Sequence, residues 1–159
     1  MSKSLVAYFS ASGITAEVAR NLATSIGADL YKIVPLQPYT NADLDWTDSR
    51  SRSSLEMRDL NCRPALIDNN AKIEEYDVIF LGFPIWWYRE PSVIDTFLDI
   101  YDFSGKKIIP FCTSGGSGMG ETAKRINDLL GGKAVVDTGK RFSVHASASE
   151  LKDWAKNFI

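Results

Sequence analysis

The chain is poor in the residues that most catalysis and metal binding rely on. It has one histidine and two cysteines in 159 residues. His145 stands alone, far along the chain, so no Ser/His/Asp or Cys/His catalyst is expected and a structural or surface role suits it. Cys62 and Cys112 share no metal-ligand spacing, and reduced thiols in a cytoplasmic chain are the simplest account of them. Charge of either sign is nearly balanced, with a formal net charge of −2. No basic run is present, which argues against nucleic-acid or membrane partners. Long apolar runs are missing too. The first, Leu5 to Phe9, is too short for a signal-peptide core, and no stretch approaches a membrane span.

What is present is the composition of an ordinary globule, 45% hydrophobic and 24% charged. A chain of this length buries roughly 70% of its unfolded surface and needs no staples. One domain is expected. Strand-like runs at Leu5–Phe9, Leu30–Val34, Val78–Phe83, Lys107–Cys112 and Ala134–Asp137 alternate with helical periods at Thr15–Ile26, Pro91–Tyr101, Glu121–Leu130 and Ser147–Phe158. Ser147-Ala148-Ser149-Glu150 reads as a capping box, and Pro91 suits the first turn of its helix. The runs at Val78 and Ile108 are almost continuously apolar, as in strands buried on both faces of a parallel sheet. The pattern predicts a three-layer, doubly wound α/β fold.

One segment breaks the alternation. Residues 35–72 are polar and rich in turn formers, and longer than a structureless connection should be. They are expected to form an excursion packed over the sheet's edge or active face, with a short helix near Ser53–Leu60. Asp43, Asp45, Asp48, Arg50 and Arg52 read as solvated loop charges.

In a parallel sheet ligands bind beyond the C-terminal strand ends, and the three most unusual segments all fall there. Ser10-Ala11-Ser12-Gly13-Ile14-Thr15 joins the first strand to a helix. Free helix-terminal N–H groups, three hydroxyls and a glycine make an anion site without a lysine. After the third strand come Pro84, Ile85, Trp86, Trp87 and Tyr88. Adjacent tryptophans on an extended strand end point in different directions, so at least one is expected to face the crevice and offer a stacking surface. Tyr88 fits either a second wall of that pocket or a surface aromatic. After the fourth strand, Ser114-Gly115-Gly116-Ser117 opens a run of glycines suited to close backbone approach to a flat ring edge. Arg89 is expected at the pocket rim, either paired with Glu90 in solvent or meeting an anionic substrate.

Several anion sites are excluded. A P-loop needs Gly-Lys-Ser/Thr, and a dinucleotide fold needs G-x-G-x-x-G after the first strand. A low-molecular-weight tyrosine phosphatase needs a cysteine in the first loop, and a receiver domain needs an acidic cluster at the strand ends. A phosphate loop at one end, a flat aromatic surface beyond it and glycines opposite suit a ligand with a phosphate tail and a large planar ring, and FMN fits best.

The loops "YFSASGIT", "GFPIWWYREP" and "FCTSGGSG" resemble those of flavodoxin-like FMN proteins, in the branch of small flavodoxins and flavodoxin-type oxidoreductases. The resemblance runs from Ser4 to the C-terminus. It implies one flavodoxin-like domain over residues 1–159, a five-stranded parallel sheet of order 2-1-3-4-5 and bound FMN. By the same likeness Ser10, Ala11, Ser12, Gly13, Ile14 and Thr15 would hold the phosphate. Pro84, Ile85, Trp86 and Trp87 would line the isoalloxazine, and Ser114, Gly115, Gly116 and Ser117 would meet it from the other side. Tyr88 departs from the glycine that follows the paired tryptophans in the family's better-known version.

Two roles follow. One is an enzyme passing electrons from NADH or NADPH to a small acceptor such as a quinone; the other is a one-electron carrier between protein partners. A carrier presents an acidic face to its partners, and the weak net charge here, with the long excursion that carries Tyr39 and Trp46, tilts the expectation slightly toward the enzyme. A binding or sensing module that uses FMN without turnover is a third reading. Either a monomer or a homodimer is compatible with the sequence.

Overall fold

A computed structural model of the chain describes residues 3–114 and 118–159. The elements run β1 (Ser4–Tyr8), α1 (Ile14–Ile26), β2 (Asp29–Lys32), α2 (Arg52–Arg58), β3 (Val78–Pro84), α3 (Ser92–Ile100), β4 (Lys107–Thr113), α4 (Thr122–Leu129), β5 (Val135–Val136), β6 (Lys140–Phe142) and α5 (Ala148–Ala155). All strand pairs are parallel, in the order β2-β1-β3-β4-β5, with β6 also paired to β4. This is the doubly wound fold with the strand order that the resemblance implies.

The side-chain period of two sorts β1, β3 and β4 between two cores. Leu5, Ala7, Ile79, Leu81, Ile108 and Cys112 pack with Val93 and Phe97 of α3 and Ile126 of α4 on one face. Val6, Phe80, Ile109 and Phe111 pack with Val18 and Leu22 of α1 and Leu151 and Ala155 of α5 on the other. Cys112 is fully buried among these side chains, and burial pushes its thiol up to about 12. Ser147 caps α5 as the sequence predicts: its hydroxyl accepts from the Glu150 amide at 3.1 Å. Pro91 stands one residue before α3, at its N-cap rather than inside its first turn.

The fifth position of the sheet is broken, which periodicity did not foretell. The carbonyls of Lys106 and Ile108 accept from the amides of Val135 and Asp137, so the even-numbered residues of β4 face that position. Pro110 comes next on that side and has no N–H to offer. The ladder lapses there between Val136 and Lys140, and Gly139 crosses the gap at φ 81°. An added Cβ on Gly139 would lie 2.5 Å from the Pro110 carbonyl oxygen. Pairing resumes with Lys140 beside Phe111 and carries Phe142 to the C-terminal end of the sheet.

The excursion holds a helix over Arg52–Arg58 and an isolated antiparallel bridge between Pro35 and Leu66. Its Tyr39 ring reaches the sheet's ligand end, packing against Phe9 and Trp86. No helix among the described residues is long and apolar enough to cross a membrane.

Candidate functional site

The chain leaves β1 at Tyr8 and enters α1 through a loop with no side chain capping the helix. Gly13 occupies the N-cap position at φ 93°, which L side chains seldom adopt, and an added Cβ there would meet nothing within 4 Å. The first-turn amides of α1 thus have neither an intrahelical partner nor a capping side chain at the N-cap. The Ser10 hydroxyl accepts from the Gly13 amide at 3.0 Å and holds the loop in shape. Ser12 is exposed, whereas Thr15 is buried and its hydroxyl lies 2.7 Å from that of Thr113 on β4. Only one of those two protons can serve their mutual bond. The other remains available.

A cleft of about 310 Å³ opens above this loop. Ser12 and Ile14 come to it from the first loop, Pro84, Ile85 and Trp86 from the second, and Ser114 from the third. Three segments separated by some seventy and thirty residues in sequence thus converge on one space. Thr113, Phe142, Ser143 and Val144 complete it. Ser10, Ala11, Gly13 and Thr15 shape the loop beneath, while Gly115, Gly116 and Ser117 lie outside the described residues.

Trp86 is held edge-on to two rings, Phe9 at 5.7 Å and Tyr39 at 5.4 Å between centroids. The excursion fixes Tyr39 in turn: its hydroxyl donates to Glu56 at 2.5 Å, and the Arg52 guanidinium lies 3.9 Å above its ring. Burial and the bond to Glu56 push the Tyr39 phenol well above its ordinary value. Trp87 and Tyr88 do not line the cleft. Both stand at positive φ in a tight reversal, and Tyr88 is 74% exposed, the surface aromatic of the two expectations.

Arg89 is placed quite differently from its expected position at the rim. The reversal at Trp87-Tyr88 turns its side chain inward, leaving the residue 6% exposed. It donates to the carbonyl oxygens of Met57 and Glu90 at 3.1 Å each and approaches Asp95 at 3.4 Å. Glu90 is fully buried and accepts from Arg125 at 2.8 Å, so it pairs with the helix α4 cation rather than with Arg89 in solvent. Asp95, also fully buried, has Arg125 at 3.1 Å and Arg63 at 3.8 Å. Burial is the main influence on both acids and raises them, Glu90 to about 7. This ionic cluster locks the excursion, the reversal and helices α3 and α4 together. Low dielectric makes it costly to disturb.

His145 is exposed, and Cys62 is half-buried, with its thiol raised first by burial and then by Glu56 and Asp59. Phe142, Ser143 and Val144 were missed as wall residues. Their place after a fifth strand was the available signal, but that strand was expected to end at Asp137. Arg141, next to them, donates to the Ser114 hydroxyl and carbonyl at 3.0 Å each and so ties β6 to the third loop.

A family model described as flavodoxin matches residues 3–158. The chain belongs to the flavodoxin family. This flavodoxin-family chain is 43% identical to a protein of Bacteroides eggerthii DSM 20697 classed as a flavoprotein, with a TM-score of 0.93 over 99% of this chain and 98% of that one. A Bacteroides uniformis ATCC 8492 protein of the same class is 44% identical, with a TM-score of 0.90 over 98% of each chain. The fold also matches a flavoprotein from Lactobacillus acidophilus NCFM in complex with FMN, at 22% identity and a TM-score of 0.72 over 98% and 99% of the two chains. Comparison with curated proteins returned no match.

Proposed function

We propose that the chain binds FMN in the 310 Å³ cleft and works as an FMN-dependent oxidoreductase, passing electrons from NADH or NADPH to a small acceptor such as a quinone. The observation that carries the reading is the convergence of Ser12, Ile14, Pro84, Trp86 and Ser114 on one space above an uncapped helix. The whole chain serves as one unit, with residues 35–72 as a wall that steadies Trp86.

The residues fit the cofactor. A phosphate at the start of α1 meets first-turn amides, the helix dipole and the hydroxyls of Ser10 and Ser12, each charge-assisted bond worth roughly 1.5–3 kcal/mol. The open space at Gly13 admits it, since any side chain there would project into the loop's mouth. Pro84, Ile85 and Trp86 offer an apolar wall to a planar ring, and Ser114 and Ser143 provide polar atoms at its edge. FMN supplies the hydride and electron chemistry once bound, and the protein's share is binding, orientation and exclusion of water. The two free thiols suit a reducing compartment such as the cytoplasm.

A second reading has its own support. Ile14, Trp87 and Tyr88 are 45%, 43% and 74% exposed beside the cleft, an apolar rim suited to docking an electron-transfer protein. Stopped-flow mixing of the FMN-loaded protein with NADH and NADPH separates the two. The enzyme gives saturable bleaching of the flavin absorbance with weak salt dependence. The carrier gives none with either nucleotide, but is reduced by a flavodoxin reductase at a rate that falls steeply with salt.

A further inference from the structure

A second cavity, of about 220 Å³, shares no lining residue with the cofactor cleft among the described residues. Trp87 forms part of its wall from the reversal, and the excursion supplies the rest: Trp46, Thr47, Ser49, Ser54, Met57 and Arg58. We propose that this cavity is a binding subsite for a small planar aromatic ligand carrying an anionic group, of the size and shape of a naphthoquinone sulfonate.

Three observations point there. The first is the state of its tryptophans. Trp46 is 72% exposed and Trp87 43%, so neither indole is used by the two cores, and both leave apolar surface that a flat ring would remove from water. Trp87 is also held at φ 46°, in a region bulky residues rarely enter. The second is the charge of the lining. Arg58 is the only ionisable residue among the described lining residues, and its surroundings in the cavity are neutral hydroxyls, a thioether and two indoles. A cation alone in such a wall selects an anion.

The third is that the wall is already built. The Thr47 amide donates to Asp45 at 3.0 Å, and the Ser54 hydroxyl donates to the Asp48 carbonyl at 2.8 Å. Arg58 donates to the Ser54 carbonyl at 3.3 Å and to the Ser49 carbonyl, two bonds out of the five its guanidinium can donate. Binding therefore orders little that is not already ordered. The volume suits a one- or two-ring ligand and is too small for a dinucleotide, whose adenosine and nicotinamide halves need a larger pocket. The subsite's identity as the acceptor's docking place rests on the oxidoreductase reading above; the binding itself does not.

The test uses full-length, FMN-loaded protein and two probes of similar ring size, 1,4-naphthoquinone-2-sulfonate and neutral menadione. Indole N–H resonances of the four tryptophans are followed by two-dimensional NMR as each probe is added to the oxidised protein. The expected result is that the Trp46 and Trp87 signals move while Trp154 does not. Trp46→Ala should weaken both probes about tenfold, and Arg58→Gln should weaken the sulfonate about tenfold while leaving menadione within about twofold. Menadione binding doubles as the check that Arg58→Gln keeps the cavity intact. Shifts confined to Trp86, or affinities unchanged in both variants, would overturn the proposal. Binding as described in a protein whose flavin is bleached by neither NADH nor NADPH would keep the subsite and reject the enzyme.

Discussion

The Trp86 amide donates to the Arg89 carbonyl at 3.0 Å, and the Arg89 amide donates back to the Trp86 carbonyl at 3.2 Å. Between them Trp87 and Tyr88 stand at φ 46° and 66°. Positive φ at both central residues is the mark of a type I′ hairpin turn, which prefers Asn-Gly. Two aromatics in that conformation cost of order 1–3 kcal/mol each.

Relief of that strain should be measurable. Tyr88 is largely exposed, so replacing it removes little packing. Tyr88→Asn is expected to stabilise the ligand-free protein by about 0.5–1 kcal/mol and raise its Tm by about 1–4 °C in a calorimetric scan. A lower Tm would mean the ring contributes more than its exposure suggests.

Arg89 offers a sharper outcome. An arginine at the rim could be cut to alanine at small cost, but this one serves two backbone carbonyls and approaches Asp95. Removing it takes the Arg89 donors from the Met57 and Glu90 carbonyls and one of three cations from buried Asp95, which keeps Arg125 and Arg63. Arg89→Ala should lose about 3–5 kcal/mol in urea unfolding, and Arg58→Ala, at the exposed cavity wall, should lose far less. Equal losses would place Arg89 outside the cluster.

The same cluster predicts a pH dependence. Glu90 holds its proton up to about 7 in the folded protein, against 4.5 ordinarily, because burial disfavours its charge. A raised value means the folded state binds the proton more tightly. The stability this confers is complete below about pH 4.5 and is lost as pH rises through 7, a change of up to about 3 kcal/mol. Asp95 moves in the same direction. Unfolding free energies measured between pH 4.5 and 7.5 should show this fall from Glu90, and Glu90→Gln should flatten it. Parallel profiles for the two proteins would assign the dependence elsewhere.

Much of this arrangement was legible because it is local. Ser10 to Thr15 joins a β-run to a helical period within six residues, and hydrophobic period alone places that loop at the ligand end. The order of the sheet came from family likeness, and the alternating cores agree with it. What sequence could not reveal depends on partners far away. Arg89 turns inward only because Trp87 and Tyr88 take positive φ and because α2, thirty residues earlier, offers its Met57 carbonyl. The break opposite Pro110 requires knowing which side of β4 faces the fifth position, and it concealed Phe142, Ser143 and Val144 as wall residues. Trp46 stands out in sequence only as one of the aromatics, with Tyr39, of the long excursion that tilts the expectation toward the enzyme. Its meaning comes from sharing a cavity with Trp87, forty-one residues on.

Titration of FMN and riboflavin into the ligand-free protein, followed by flavin fluorescence, tests the central claim most directly. Ser10→Ala combined with Ser12→Ala removes two hydroxyls from the loop at the start of α1. FMN should bind at one site, and the double variant should weaken it by about a hundredfold while changing riboflavin by less than about threefold. Failure of FMN to bind, or equal losses for the two flavins, would contradict a phosphate held at Ser10 to Thr15.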